Sequence, residues 1–184
     1  MSLDQADALT DRTIVVTGVT GQVARPLALA LAKDNRVVGA ARFALPTTIA
    51  RLSVPYGDTG GWPAIHLHMM LNGHAVPVHV NAPSVYSPLH SDDIAAMVPR
   101  LLAVASLPAV TVNWGGSEAV SIEEWCAYLA ELTGSEARFE PTEHTIDSVQ
   151  IDPTRMHELI GRTTVPWREG MRRMAKALHP ELVP

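Results

Sequence analysis

The chain has 184 residues, 47% of them apolar, a formal net charge of -5 and a single cysteine, Cys126. That length suits one domain with a real hydrophobic core, and the negative balance gives no electrostatic reason to expect nucleic acid as a partner. No apolar run approaches the ~20 residues of a membrane span, the N-terminus lacks a secretory apolar segment, and one cysteine excludes an internal disulfide, so a cytoplasmic protein is expected.

Residues 1–12 read as a lead-in. Ile14, Val15 and Val16 then form a β-branched run, expected as a buried parallel strand. Thr17 and Gly18 turn the chain, the apolar stretch Ala24–Ala32 predicts a helix, and Val37 and Val38 begin a second strand. The turn carries Gly18-x-x-Gly21-x-x-Ala24, a dinucleotide-binding fingerprint with alanine in its third place. The first glycine permits a tight turn, the second lets main-chain N–H groups approach a pyrophosphate, and a small third residue lets helix and strand pack closely. Gly18, Thr20, Gly21, Gln22 and Val23 are therefore the expected phosphate-binding residues. The second strand ends in Gly39-Ala40-Ala41, with no carboxylate for a ribose 2′-hydroxyl, and Arg42 follows. A guanidinium there suits the 2′-phosphate of NADP, with NAD as the alternative; the plain reading is a solvated arginine.

After Arg42 the pattern breaks. Thr47–Val54 is another β-rich run, too close behind Ala41 for the dozen-residue crossover that parallel neighbours need. Residues 54–61 read as a turn-rich loop, Trp62–Leu71 as a helix ended by Asn72-Gly73, and His74–Val80 as an edge strand marked by Pro77, with Val76, Val78 and Val80 on one face. Asn81–Pro88 is expected as loop. A helix follows, opened by Asp92 and Asp93, striped by Ile94, Met97, Leu101 and Leu102, and bent by Pro99. Val110–Asn113 reads as a strand followed by a Gly115-Gly116 turn. Ser121 and Glu124 form a capping box for a helix that stops at Gly134. Phe139–Gln150 is expected to be irregular, and Pro153–Ile160 and Pro166–Leu178 to be helices, with Gly161 and Gly170 as weak points.

The pattern implies an α/β fold: an abbreviated Rossmann-like parallel sheet with helices on both faces, plus a small C-terminal α/β substrate lobe. Residues 1–60 would form the dinucleotide-binding portion and 61–184 the lobe, packed as one domain. Cys126 and the four tryptophans (Trp62, Trp114, Trp125, Trp167) read as packing residues. Neither His66-x-His68 on a helix nor His74 and His79 on a strand makes a metal set, so no metal is expected.

The TGVTGQVA turn, followed in order by ARLSVPYG, SPLHSDDIA, NWGGSEAVSIEEW, IDPTRMHELIG and VPWREGM, resembles the extended short-chain dehydrogenase/reductase family, of the NAD(P)-dependent epimerase/dehydratase type. The resemblance implies a catalytic Tyr-x-x-x-Lys in which lysine lowers the pKa of a proton-exchanging phenol. Here the residues four after Tyr56, Tyr86 and Tyr128 are Gly60, His90 and Leu132, so no catalytic residue carries over. The resemblance implies that about a hundred residues of a family-sized domain are missing at the Phe43/Ala44 junction. The resemblance also implies that Leu52, Ser53 and Val54 line the cofactor, and that Tyr86–His90 closes over the substrate lobe. Tyr86 and His90 are thus substrate candidates, although His90 and Asp93 are expected chiefly to tie that loop to its helix.

The function so implied is that of an NAD(P)-binding protein from a lineage of oxidoreductases and epimerases. Its relatives act on a sugar-nucleotide-like or other small carbonyl or hydroxyl substrate, and this chain is expected to lack turnover. The alternatives are a non-catalytic dinucleotide-binding or regulatory module, and a truncated product that folds poorly or only as an oligomer. A small-molecule substrate, no nucleic acid and no membrane are the expected partners, with homo-oligomerisation left open.

Overall fold

Thr13–Val15 (β1) and Arg36–Val38 (β2) lie side by side in parallel, with Ile14 beside Val37. This computed structural model describes residues 13–15, 33, 36–38 and 46–183. The phosphate turn with Gly18, Thr20, Gly21, Gln22 and Val23, and the Arg42 position, lie outside the described residues.

The β-rich run after Pro46 forms β3 (Thr48–Leu52). Its parallel partner is the strand Val110–Trp114, β9 in chain order, with Thr48 beside Val110 and Leu52 beside Trp114. The strand ends two residues sooner than expected. Beyond Ser53 the chain re-forms as β4 (Pro55–Gly57), the centre of a three-stranded sheet with β5 (Gly60–Gly61) antiparallel and β8 (Leu89–His90) parallel. Residues 54–61, expected as loop, therefore hold two short strands.

Helix α1 (Trp62–Leu71) starts with Pro63 in its first turn, where a missing N–H costs nothing. It ends at Asn72, whose side-chain amide donates to the His68 carbonyl at 2.7 Å. The next strand, β6 (Val76–His79), buries Val76 and Val78, but Val80 lies beyond its end and is 48% exposed. The expected three-valine face is thus two residues long, and His74 precedes the strand. Its partner is β11 (Phe139–Thr142), running parallel, within a segment expected to be irregular. Glu140 and Pro141 hide the β signal there, and Pro141 is tolerated because, among the described residues, this sheet has only two strands. A further pair, β7 (Val85–Tyr86) with β10 (Val120–Ser121), likewise falls partly in a stretch expected as loop.

Three of the remaining helices follow their local signals closely. Helix α2 (Ser91–Ala103) carries Asp92 and Asp93 in its first turn and buries Ile94, Met97, Val98 and Leu101, so Val98 rather than Leu102 completes the stripe. Helix α3 (Ile122–Thr133) has the reciprocal capping box: the Glu124 N–H donates to Ser121 Oγ at 3.0 Å and the Ser121 N–H to Glu124 Oε2 at 2.8 Å. It stops at Gly134, whose φ of 71° is the left-handed conformation that a side chain disfavours. After α4 (Thr154–Ile160) comes α5 (Trp167–Leu178), whose first N–H donates to Glu118 Oε2 at 3.0 Å.

Two buried clusters hold these elements. One gathers Leu67, Met70, Val76, Trp125, Leu129 and Met174 from α1, β6, α3 and α5. The other joins Leu89, Met97, Leu101, Val112, Trp114 and Met156 around β9, α2 and α4. Cys126 is buried in the first, and burial pushes its thiol up to about 12, the behaviour of a packing group rather than a nucleophile. No described helix is long and apolar enough to cross a membrane.

Packed into the first cluster is one imidazole, that of His66. His66 stacks on Trp125 at 5.6 Å, and its Nδ1 accepts the indole N–H at 3.0 Å. Burial pushes its pKa down to about 4. Between the ordinary value of 6.5 and about 4, the unfolded chain takes up a proton that folded His66 refuses. Stability is therefore full above pH 6.5 and falls as the pH is lowered through that window. His157, also pushed down by burial, adds in the same direction. Urea unfolding is expected to show a loss of about 2–3 kcal/mol between pH 7 and pH 4.5, most of it absent in His66→Phe. An equal slope in that variant would remove His66 as its cause.

Candidate functional site

In open α/β sheets ligands bind beyond the carboxyl ends of the parallel strands. At that end of the β3–β9 pair three segments meet: Ser53-Val54, Gly115-Gly116 and Tyr86–Leu89. The Ser53 N–H donates to the Trp114 carbonyl at 2.8 Å, the Gly116 N–H to the Ser87 carbonyl at 3.1 Å, and the Leu89 N–H to the Val54 carbonyl at 2.8 Å. The two glycines permit this approach. A Cβ on Gly115 would stand 3.0 Å from the Cβ atoms of Ser53 and Ser87, and one on Gly116 would run into the Pro88 carbonyl. Ser53 Oγ and Trp114 Nε1 are both buried at this junction, with no hydrogen-bond partner among the described residues. Of the three residues expected to line a cofactor, Leu52 is open to the surface, Ser53 offers an uncommitted hydroxyl, and Val54 belongs to the first core cluster.

The two substrate candidates lie deeper. Tyr86 is buried edge-on to Trp62, with ring centres 5.0 Å apart, and its hydroxyl donates to the Ile146 carbonyl at 2.6 Å. His90 caps α2: its Nδ1 accepts the Asp92 N–H at 3.2 Å. That acceptor role puts the ring proton on Nε2, which faces Asp58 Oδ1 at 3.4 Å. Arg173 of α5 then bridges Asp58 Oδ2 and Asp92 Oδ2, each at 2.8 Å. Its guanidinium holds the Asp58 carboxyl below the usual carboxylate range, and the two carboxylates push the Arg173 pKa further up. Asp93, on the inner side of the same helix turn, accepts from the Thr164 N–H, the Thr164 hydroxyl and the Val165 N–H at 2.7, 2.8 and 3.1 Å. His90 and Asp93 thus connect the β8–α2 corner to the β4–β5 turn, to α5 and to the segment before it. Asp58 and Arg173 were not singled out in the sequence; their partnership spans 115 positions and leaves no local signal.

The proton-exchange chemistry has no equivalent among the described residues. Tyr56 donates to the Trp167 carbonyl at 3.3 Å, and burial pushes its pKa well above the ordinary phenol value; burial also raises that of Tyr86. Tyr128 packs on Trp167, with the Arg168 guanidinium 4.8 Å from its ring centre. The chain's lysines are Lys33 and Lys176, neither four residues after a tyrosine. A serine–histidine contact does exist, Ser117 Oγ to His157 Nε2 at 2.9 Å. Its geometry is that of a latch, because Ser117 and Thr163 also exchange main-chain N–H and hydroxyl bonds at 3.1 and 3.0 Å. No group of three or more His, Cys, Asp or Glu among the described residues is placed to hold a metal.

Parallel strand pairs, the connecting helices and the crevice at the strand ends define a Rossmann-type α/β fold. Solved structures that share it include two sugar-nucleotide epimerases and a sugar-nucleotide dehydratase. UDP-glucuronic acid 4-epimerase from Bacillus cereus, in complex with UDP-glucuronic acid and NAD, superposes with a TM-score of 0.62 at 18% identity over 89% of this chain and 52% of that one. UDP-glucose 4-epimerase from Thermotoga maritima, with UDP-glucose, gives 0.61 at 20% identity, covering 90% and 53%. dTDP-glucose 4,6-dehydratase from Bacillus anthracis, in complex with NAD, gives 0.61 at 19% identity, covering 85% and 50%. The chain therefore spans about half the length of the solved chains it matches. No protein-family model matches it, and no curated protein matches its sequence.

Proposed function

We propose that this chain is a nicotinamide-dinucleotide-binding protein derived from the epimerase/dehydratase type of oxidoreductase, and that it lacks the turnover of that type. The observation that carries the reading is the state of its three tyrosines. Two are buried with their hydroxyls given to carbonyl oxygens, their pKa values raised rather than lowered, and none has a lysine four residues on. Deprotonating a phenol near neutral pH needs the opposite environment.

The residues present fit a bound dinucleotide. The glycine turn Gly18–Val23 would hold the diphosphate, Arg42 the 2′-phosphate of NADP, and the free Ser53 hydroxyl with Leu52 and Val54 would line the nicotinamide end. Such a cofactor supplies hydride exchange at a substrate carbon. In this reading residues 1–60 form the binding portion, residues 61–184 the remnant of a substrate lobe, and a central segment is absent at Phe43/Ala44. Tyr86 and His90 would form the wall of a sugar-nucleotide pocket rather than touch a reacting atom. The setting is cytoplasmic, consistent with one buried cysteine.

Thermal unfolding with each cofactor tests the binding. A ligand held only by the folded state adds about 2.7 kcal/mol at a hundred times its Kd, which for a chain of this length raises Tm by roughly 5–10 °C. NADP is expected to act at lower concentration than NAD, and Arg42→Ala to bring the two together. A clear NAD preference would defeat the assignment of Arg42. No shift with either cofactor would favour a product that folds but binds nothing.

A further inference from the structure

The β3–β9 pair has two unlike faces. Val112 and Trp114 are buried in the second core cluster, with residues of α2 and α4. Side chains alternate along each strand, and the parallel register sets Ile49 beside Thr111 and Arg51 beside Asn113, so these four share the opposite face. Parallel strands are usually apolar on both faces. Here the second face carries a guanidinium, a hydroxyl and an amide. The segment around the start of α4 brings two more charges to it. Ile151 packs at the end of β9, its Cδ1 2.9 Å from where a Cβ on Gly115 would stand, and Met156 is buried in the second core cluster. Between these anchors lie Asp152 and Arg155. With Arg51, Thr111 and Asn113 they line a surface cavity of about 220 Å³, and all five belong to the described part of the chain.

The charges of this cavity do not satisfy one another. Among the described residues neither guanidinium has an ion pair or hydrogen bond, and the Thr111 hydroxyl and Asn113 amide are likewise uncommitted. Asp152 is engaged elsewhere: its Oδ1 accepts the Thr154 N–H at 2.9 Å, a bond that holds the carboxyl below the usual carboxylate range. Two guanidiniums against one carboxylate make the cavity positive in a chain of net charge -5. We infer that it binds the phosphate group of a small polyol phosphate monoester. A phosphate dianion offers several acceptor oxygens, and the planar fork of an arginine meets two of them at once. Arg51 comes from the sheet and Arg155 from α4, so the forks reach the group from separate elements, with Thr111 and Asn113 as neutral donors. Asp152 repels further negative charge and accepts a hydroxyl, which favours a monoester of a polyol over a polyphosphate. Arg51 and Asn113 are each the last residue but one of their strands, toward the carboxyl ends where open α/β sheets hold ligands. The inference does not rest on dinucleotide binding, and either can fail without the other.

Calorimetric titration of the full chain tests it, at pH 7, where a phosphate ester carries about 1.5 to 2 negative charges. The titrants are glycerol 3-phosphate, inorganic phosphate and glycerol. Glycerol 3-phosphate is expected to bind saturably, one per chain, inorganic phosphate more weakly, and glycerol not at all. Arg51→Ala and Arg155→Ala should each weaken the ester by at least about tenfold, and Arg155→Lys, which keeps the charge without the fork, by less. Asp152→Asn keeps an acceptor for the Thr154 N–H and should tighten inorganic phosphate by about threefold or more. Arg51 and Arg155 are exposed, so their alanine variants should keep the native far-UV circular dichroism, and if one fails to fold the other decides. No saturable heat with either phosphate, equal binding of glycerol, or alanine variants that bind as tightly as the native chain would each overturn it. So would ester binding that NADP displaces and that falls together with NADP binding in Arg51→Ala, because the cavity would then serve the cofactor.

Discussion

Trp125→Ala is expected to lower the unfolding free energy by about 3–5 kcal/mol, the usual cost of emptying a fully buried indole site. Trp125 has no exposed surface and sits where α1, α3 and β7 converge, stacked on His66 and edge-on to Trp62. Its removal forfeits burial and ring contacts, and leaves His66 Nδ1 without its donor. The surrounding residues come from separate elements, so the cavity cannot close by moving one side chain. For a chain of this length the loss corresponds to a fall in Tm of roughly 6–20 °C. Trp125→Phe keeps most of the ring volume and is expected to lose about 1–2 kcal/mol, largely the hydrogen bond and its unpaired acceptor. Chemical denaturation of both variants measures this directly. An alanine variant within about 1 kcal/mol of the native chain would mean that the aromatic cluster is not the core of the lobe.

Asp93→Ala is expected to cost about 2–4 kcal/mol, although the residue lies at a helix N-terminus where a carboxylate often matters little. The difference is burial and valence. Asp93 is 2% exposed and accepts three hydrogen bonds from Thr164 and Val165, which lead into α5. Alanine would strand three donors at once and free the segment that positions Trp167 and Arg173. Asp92 offers the contrast. It lies one residue earlier, is exposed, and pairs with Arg173 at the surface, where such pairs contribute little. Asp92→Ala should therefore leave the denaturation midpoint almost unchanged. If the two alanine variants behaved alike, the three-bond acceptor role of Asp93 would be wrong.

Where a signal is local, the sequence alone carried it. The Ser121/Glu124 box and Gly134 bound α3 because a cap acts on the four residues beside it. Trp62–Leu71 stopped at Asn72-Gly73 for the same reason. Strand β11 was invisible because Glu140-Pro141 interrupts the strand-favouring Phe139 and Thr142; its partner β6, distant in sequence, supplies the pairing. The short strands β4, β5, β7 and β8 were hidden likewise, each being two or three residues long and made by contact. The crevice at the strand ends was only half legible. Leu52, Ser53 and Val54 could be named from resemblance, but the close packing of Gly115 and Gly116 on Ser53, Ser87 and Pro88 follows from the folded chain. The Asp58–Arg173–Asp92 bridge had no precursor in the pattern at all, since nothing in a helix face announces which distant carboxylate it will meet.

This protein is expected to hold a nicotinamide dinucleotide without turning it over. The most direct measurement mixes the chain, its intact mass verified as 19.8 kDa, with reduced cofactor and then with UDP-glucose or UDP-glucuronic acid, following nicotinamide fluorescence, absorbance and sugar products together. The expected result is a saturable fluorescence change on cofactor addition, followed by constant absorbance and unchanged sugar. Conversion of either sugar, or hydride loss that scales with protein concentration, would contradict it, as would a cofactor signal that never saturates.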